Sequence, residues 1–291
     1  MTLRELYNYL LEAMLLCEEE REAKAITYRV LEYFTGYDKL NISLSPQKEI
    51  PLNIVNRVKK ALVALQKHTP VQYITGEAFF CGLRLKVNRQ VLIPRKETEE
   101  LAYWIINENK DFEGEIIDLG TGSGCLAIAL ALHFPKAKVF GIDINKKALK
   151  LAQTNAKHHH VNVVFKHCDI LSDDFMNYSG KGYDIVVSNP PYVRCSEKQF
   201  MKENVLDYEP SNALFVPDDN PLIYYQSLTK WASKYLNENG KLYLEINEAL
   251  HDEMKDLLAA YQLQDICLKK DFNAKYRMIK GYKKQKIIER N

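Results

Sequence analysis

A Rossmann-like α/β architecture, with a doubly wound sheet as its core, is the fold class this sequence predicts, and three observations predict it. Ile116-Ile117-Asp118-Leu119 runs into a glycine-rich turn, Gly120-Thr121-Gly122-Ser123-Gly124, followed by an Ala/Leu-rich stretch from Leu126 to His133: a strand, a loop and a helix N-terminus. Lys138 to Asp143 reads as a second strand ending in an acid about 20 residues past the glycines. Tyr183 to Ser188 is a third apolar run, leading directly into Asn189-Pro190-Pro191-Tyr192. In a doubly wound sheet these features fall at the carboxyl ends of successive strands, where ligands bind.

The elements before the sheet are helical. Leu3, Leu6, Tyr7, Leu10, Leu11 and Met14 repeat at helical spacing, as do Ile26, Val30, Leu31 and Phe34 ahead of Gly36. Ser45-Pro46 reads as an N-cap and first helical position, with Ile54, Val58, Ala61, Leu62 and Leu65 forming a further amphipathic helix. Such stripes mark a core, so residues 1–74 are expected to form a small helical bundle. Glu77 to Phe80 and Leu83 to Val87 flank Cys81-Gly82, which predicts a β-hairpin linker over 75–92. The sheet domain would then span 93–291. It opens on Ile93-Pro94-Arg95 and a helix to Asn107 that Thr98 or a neighbour is expected to cap. Arg95, beside the expected cofactor site, could meet a carboxylate, but it reads by default as a solvated surface arginine.

Within the sheet domain, alternate glycines let the backbone approach a ligand closely and take positive φ. A dinucleotide fingerprint would place its third glycine at 125, where Cys125 stands; here it falls at Gly124. That favours the S-adenosylmethionine variant of the loop, held by Gly120, Thr121, Gly122, Ser123 and Gly124. Asp143 is placed to accept both ribose hydroxyls; taken alone it would read as a helix cap, and Asp118 as a loop anchor. Val161 to Lys166 forms a further strand, after which Asp169 could accept an adenine amino group and Ile170 could cover the ring; an exposed loop acid is the competing reading for Asp169. Val193 to Pro221 is a long irregular insertion, the kind of segment that carries function. Leu222 to Leu236 is expected as a helix, Gly240 to Ile246 as a strand, Ala249 to Tyr261 as a helix, and two strands near Asp265 to Lys269 and Arg277 to Lys283 as an antiparallel edge, before a polar tail from Lys283 to Asn291.

The tetrapeptide has chemical content. An NH2 conjugated to a carbonyl or an aromatic ring is a poor nucleophile because its lone pair is tied up in resonance. Two acceptors, the Asn189 side-chain carbonyl and the Pro190 main-chain carbonyl, could orient that nitrogen toward an electrophile, with Tyr192 packed on the flat group and Asn189 also bordering the cofactor. A proline turn closing a strand is the competing reading.

Composition sets bounds. With 46% hydrophobic residues over 291 positions the chain can bury a large core and a smaller one. No secretory signal or membrane-spanning run is visible, and six cysteines lie scattered without C-x-x-C pairs, which fits reduced thiols in a cytoplasm. The net charge of +2 argues against an extended duplex-binding face. His158-His159-His160 cannot share one helical face and has no partner at ligand spacing, so no metal is expected.

These motifs together resemble the release-factor glutamine N5-methyltransferases (PrmC/HemK type). The resemblance rests on Pro70-Val71-Gln72-Tyr73-Ile74-Thr75-Gly76, Leu92-Ile93-Pro94-Arg95 with Glu97-Thr98-Glu99, the loop from Asp118 to Gly124, Asn189 to Tyr192, Tyr208-Glu209-Pro210 and Leu244-Glu245-Ile246. At Ile170 some members carry an aromatic residue instead. The resemblance implies a class I methyltransferase domain with a seven-stranded sheet. It also implies methyl transfer from S-adenosylmethionine, yielding S-adenosylhomocysteine, to the glutamine amide of the Gly-Gly-Gln motif in class-1 peptide chain release factors. Asn189 and Pro190 would orient that amide, Pro191 and Tyr192 would shape its pocket, and the helical bundle with the 193–221 insertion would bind the release factor. A monomer without stable nucleic-acid binding is expected. An adenine-N6 or guanine-N2 nucleic-acid methyltransferase would use the same tetrapeptide, usually with a basic target-recognition segment; a noncatalytic protein retaining the fold is a third reading.

Overall fold

The computed structural model describes residues 1–177 and 182–284, and the chain forms two compact units: Met1–Glu77 with Lys202–Tyr208, and Ala78–Met201 with Glu209–Asn291.

The helical unit contains α1 (Leu3–Met14), α2 (Glu20–Thr35), α3 (Lys39–Leu44), α4 (Leu52–Leu65) and α5 (Val71–Thr75). Thr2 starts α1 with a capping box: its hydroxyl accepts the Glu5 N–H at 3.2 Å, and the Glu5 carboxylate accepts the Thr2 N–H at 2.9 Å. Gly36 ends α2 at φ +76°, a conformation glycine adopts without penalty. The apolar stripes meet as expected, with Leu3, Leu6, Leu10, Val30, Leu31 and Val58 fully buried in one core. Truncating any of these leucines to alanine should cost about 2–5 kcal/mol. The expected helix start at Ser45-Pro46 is corrected: Ser45 closes α3, its N–H bonded to the Asn41 carbonyl, and α4 begins after Pro51. The intervening chain pairs with the N-terminus instead, through Leu3 N–H to Lys48 O at 2.8 Å and Ile50 N–H to Met1 O at 3.0 Å. Lys202–Tyr208 belongs to this unit, and the Tyr208 hydroxyl donates to Lys67 O at 2.6 Å.

The second unit opens with the hairpin β1 (Glu77–Phe80) and β2 (Leu83–Lys86). Phe80 and Leu85 are fully buried in the core beneath α6 (Lys96–Glu108), so the hairpin packs as part of the sheet unit. β3 (Glu115–Leu119), α7 (Cys125–His133), β4 (Lys138–Asp143), α8 (Lys146–His158), β5 (Val163–His167), the short α9 (Asp173–Met176) and β6 (Tyr183–Ser188) follow. The insertion after β6 holds a two-residue parallel pair, β7 (Val193–Arg194) with β8 (Phe215–Val216), and between them the turn α10 (Glu203–Leu206), which belongs to the helical unit. α11 (Ile223–Tyr235), β9 (Leu236–Glu245), α12 (His251–Ala260), β10 (Leu263–Lys270) and β11 (Tyr276–Lys283) complete it.

The seven-stranded sheet has the order β10-β11-β9-β6-β3-β4-β5; β11 is antiparallel to both neighbours and the five strands beyond it are parallel. After β5 the chain returns to the other side of β3, so the switch in strand order lies between β3 and β6. Both faces are covered, and side chains alternate between them: Ile116, Ile185, Val187 and Tyr243 point to one core, Ile117, Val186, Leu242 and Leu244 to the other.

Several boundaries differ from the sequence reading for local reasons. Thr98 does not cap α6; Arg95 is the N-cap residue without a side-chain bond, and Thr98 is buried within the first turn. β5 starts two residues later than expected, because Val161 N–H bonds back to Ala156 O. β9 starts at Leu236 because that residue already pairs with Tyr183. Of the expected polar tail, Lys283 ends β11 and residues 285–291 lie outside the described residues.

Candidate active site

At the switch point, the loop after β3 and the tetrapeptide after β6 emerge side by side, their strands paired through Asp118 and Val187 and the Ser188 hydroxyl donating to Leu119 O. One cavity opens there. Its walls include Gly120, Thr121, Gly122 and Ser123 from the loop, Asp143 after β4, Asp169 and Ile170 after β5, and Asn189 and Pro191 after β6.

The glycine loop is held by the end of β4. The N–H groups of Gly120 and Thr121 both donate to Ile142 O, at 2.9 and 2.8 Å, and that of Gly122 donates to the Asp143 carboxylate at 2.8 Å. Gly120 and Gly122 have φ of +80° and +54°, and a Cβ on either would meet no atom within 4 Å. Their open flank is therefore room for a ligand beside bare backbone, not packing space. Gly124 differs. At φ +81° it precedes α7, and a Cβ there would sit 3.0 Å from Ile128 and 3.1 Å from Ala152, so this glycine lets α7 and α8 approach. It is not among the cavity-lining residues.

Two carboxylates border the loop. Asp143 also accepts the Asn145 N–H at 2.7 Å, and burial raises its pKa, opposed by these backbone bonds. Asp118 is buried at 1% exposure and accepts the Thr121 hydroxyl at 2.6 Å; burial pushes its carboxyl up to about 7. Asp169 folds into a tight turn, accepting the Leu171 N–H at 2.9 Å, and lines the cavity. Ile170 and the Tyr224 ring supply apolar surface. Tyr224 went unnoticed in the sequence because an aromatic at a helix start carries no distinctive signal.

On the β6 side, the tetrapeptide is anchored by residues remote in sequence. The Asn189 Nδ2 donates to the Thr98 hydroxyl at 3.0 Å, and that hydroxyl donates to Glu245 at 2.6 Å. The other Glu245 oxygen accepts the Tyr192 hydroxyl at 2.9 Å. Asn247 Nδ2 donates to Tyr192 O at 3.1 Å, fixing the turn from the same strand end. Pro190 is buried and Tyr192 points its hydroxyl at Glu245; neither is among the residues lining the cavity. Burial raises Glu245 to about 6, against the pull of its two hydroxyl donors, and raises Tyr192 well above a phenol's ordinary value.

Arg95 is not a free surface cation. It pairs with Glu209 at 2.6 Å, and the same carboxylate accepts the Ile93 N–H at 3.1 Å. With its side chain 1% exposed, Glu209 ties the Ile-Pro-Arg segment to the Tyr-Glu-Pro segment and seats Pro210, Asn212 and Ala213 on the cavity rim beside Pro94 and Arg95.

The donor set fits a nucleoside that carries an amino-acid arm: acids at two strand ends for hydroxyl and amino groups, Ile170 and Tyr224 for a flat ring, bare glycine backbone for close approach. Among the described residues no cluster of His, Cys, Asp and Glu could hold a metal ion, and no helix is long and apolar enough to cross a membrane.

Comparison with known proteins follows the same division. Residues 110–289 match the model of a methyltransferase domain, and residues 8–76 match that of the PrmC N-terminal domain. The release factor glutamine methyltransferase of Flavobacterium psychrophilum is 43% identical over 266 residues, covering 90% of this chain and 92% of its own length; that of Bacteroides thetaiotaomicron is 41% identical over 89% and 92%. Among solved structures, a Pyrococcus furiosus methyltransferase aligns with TM-score 0.52 at 17% identity, over 70% of this chain and 91% of that one. The T. thermophilus 16S rRNA N2 G1207 methyltransferase aligns equally well, TM-score 0.52 at 18% identity, over 72% and 50%; at such identities the likeness is one of fold. With the glycine loop, the Asn-Pro-Pro-Tyr turn and both family models in place along one chain, this protein belongs to the release factor glutamine methyltransferases.

Proposed function

We propose that this protein methylates the side-chain amide N5 of the glutamine in the Gly-Gly-Gln motif of class-1 peptide chain release factors, using S-adenosylmethionine. The observation that carries the reading is the placement of Asn189: its NH2 is committed to Thr98, which leaves its carbonyl as an acceptor on a cavity shared with the glycine loop. A carboxamide NH2 needs such an acceptor, because only when its hydrogens are held can its lone pair be aimed.

When bound, S-adenosylmethionine would supply a methyl group activated by the sulfonium: the S–CH3 bond would break with its electron pair left on sulfur, an N–CH3 bond would form, and one proton would leave the nitrogen, giving S-adenosylhomocysteine. Gly120, Thr121, Gly122 and Ser123 would cradle the amino-acid arm, and Gly124 would keep the loop in its conformation. Asp143 would take the ribose hydroxyls, and Asp169 with Ile170 the adenine. Asn189 and the Pro190 carbonyl would hold the two amide hydrogens, Pro191 would wall the pocket, and Tyr192, fixed by Glu245, would set the shape of the turn. Methyl transfer from an activated sulfonium would require no metal.

The helical unit, residues 1–74 with the 75–92 hairpin following, would engage the release factor, together with the 193–221 insertion. Deleting the bundle should abolish release-factor capture in a pull-down while cofactor binding survives; undiminished capture would overturn that assignment. The protein would act as a cytoplasmic monomer without stable nucleic-acid binding. Transfer of labelled methyl groups into DNA or RNA, with none into a release factor, would favour the nucleic-acid reading instead.

A further inference from the structure

We propose that Glu245 and Thr98 are positioning residues that decide which end of the Asn189 amide faces the substrate. The proposal deepens the functional reading above and rests on it for the identity of the acceptor nitrogen. An ionised carboxylate has only acceptors to offer. Both Glu245 oxygens are occupied, one by the Thr98 hydroxyl at 2.6 Å and one by the Tyr192 hydroxyl at 2.9 Å, so both hydroxyl protons must point at Glu245. Thr98 Oγ1 then has only lone pairs for its other neighbour, and the atom of Asn189 that meets it at 3.0 Å is the NH2 nitrogen. The amide carbonyl is left as the acceptor for a ligand. The direction of every bond follows from the charge on Glu245.

A freely rotating asparagine would present its carbonyl and its NH2 to the cavity in alternation, and the NH2 face would repel the hydrogens of an incoming amide. The three-bond chain removes that alternative before substrate arrives. Its geometry is fixed by the sheet: Ser188 pairs with Leu244, so the residues that follow, Asn189 and Glu245, leave adjacent strands together, while Thr98 reaches them from the first turn of α6. The rest of Glu245's surroundings hold it still. The Tyr225 hydroxyl donates to its main-chain carbonyl at 3.2 Å, and the Arg277 guanidinium, from β11, lies 5.8 Å from the Tyr192 ring centroid, with its Nη1 donating to Ile246 O at 3.2 Å.

Replacing Thr98 by valine keeps the volume and removes the hydroxyl; replacing it by serine keeps the hydroxyl. In Thr98→Val, kcat for release-factor methylation should fall about 10- to 100-fold, the range for losing a residue that orients a ligand-contacting group, with cofactor Kd within about threefold of wild type. Thr98→Ser should restore most of the loss. Thr98 itself lines the cavity, so the double variant separates the two routes: an effect through the amide should vanish in an Asn189→Ala background, and one that persists there would overturn the proposal. A second readout does not depend on turnover: the Asn189 side-chain NH2 signal in a 1H–15N spectrum, assigned by its loss in Asn189→Ala, should be protected from solvent exchange in wild type and in Thr98→Ser and unprotected in Thr98→Val. Undiminished kcat in Thr98→Val, failure of serine to restore it, or an amide signal indifferent to Thr98 would overturn the proposal. If wild-type protein labels no release factor, the functional reading fails, and the amide signal alone decides the orientation claim.

Discussion

The two sides of the cavity are built differently. The side proposed to hold the cofactor is backbone: glycines at positive φ, N–H groups tied to the end of β4, and a carboxylate that fixes the loop, all within residues 118–145. The side proposed to hold the acceptor rests on side chains: Thr98 and Asn189 line the cavity, and hydrogen bonds tie them to Glu245, Tyr192 and Asn247 at the β6 turn and the end of β9. The difference suits the two tasks. Close approach to a nucleoside needs absent side chains, whereas orienting a weakly nucleophilic NH2 needs an acceptor of defined direction, and direction is something only a hydrogen-bond network can impose.

If the acceptor side carries the chemistry, Asn189→Ala should show the largest effect, a loss of about 10²- to 10³-fold in kcat, comparable to removing a transition-state contact. Cofactor affinity, measured by calorimetry, should change little. A variant that instead lost cofactor binding at normal kcat would erase the distinction between the sides. Asp143→Ala probes the other side and should do the reverse, weakening cofactor binding by about 10- to 100-fold, or roughly 1.4–2.7 kcal/mol, while kcat at saturating cofactor stays near wild type.

A smaller effect separates the glycines that face the open cavity from the one that packs. Gly124→Ala adds a Cβ at φ +81° against Ile128 and Ala152 and should destabilise the protein by about 1–3 kcal/mol, lowering Tm by several degrees. Gly120→Ala carries the strain of positive φ without the clash, so its Tm should fall less and its cofactor Kd should rise more. Equal Tm losses would contradict the packing role of Gly124.

The smallest effect is electrostatic. Burial lifts Asp118 to about 7 and Glu245 to about 6, above the values of an unfolded chain. The folded state therefore binds protons more tightly than the unfolded state, and stability from this source is full below the unfolded carboxylate range and declines as pH rises through about 6 to 7. Asp118→Asn should flatten that decline, so the variant's Tm should drop less than that of wild type between acidic and neutral pH. A wild-type Tm that rises across the same window, with no difference from the variant, would contradict a raised carboxyl at that strand end.

The two sides were also unequally legible in the sequence. The loop, Asp143 and the Asn-Pro-Pro-Tyr turn are contiguous signals, each tied to a strand end by local pattern, and the doubly wound order places them together. Glu245 and Thr98 are different. Nothing local to Leu244-Glu245-Ile246 says that its strand pairs with β6, and a threonine near a helix start reads as a cap because caps favour it. Arg95 reads as solvated because its partner, Glu209, lies across a long insertion. Ser45-Pro46 failed in the opposite sense, since a sound local helix-start signal was overridden by pairing of residues 46–50 with the chain's own N-terminus. Periodicity located the bundle's core stripes well, because an amphipathic face is written in every turn of the helix.

The most direct test of the account is peptide mass spectrometry of a purified class-1 release factor after incubation with this protein and S-adenosylmethionine, run beside the Asn189→Ala variant. A single added methyl group on the Gly-Gly-Gln glutamine, present with wild type and nearly absent with the variant, is the predicted result. An unmodified glutamine with wild type, or equal methylation by both proteins, would contradict it.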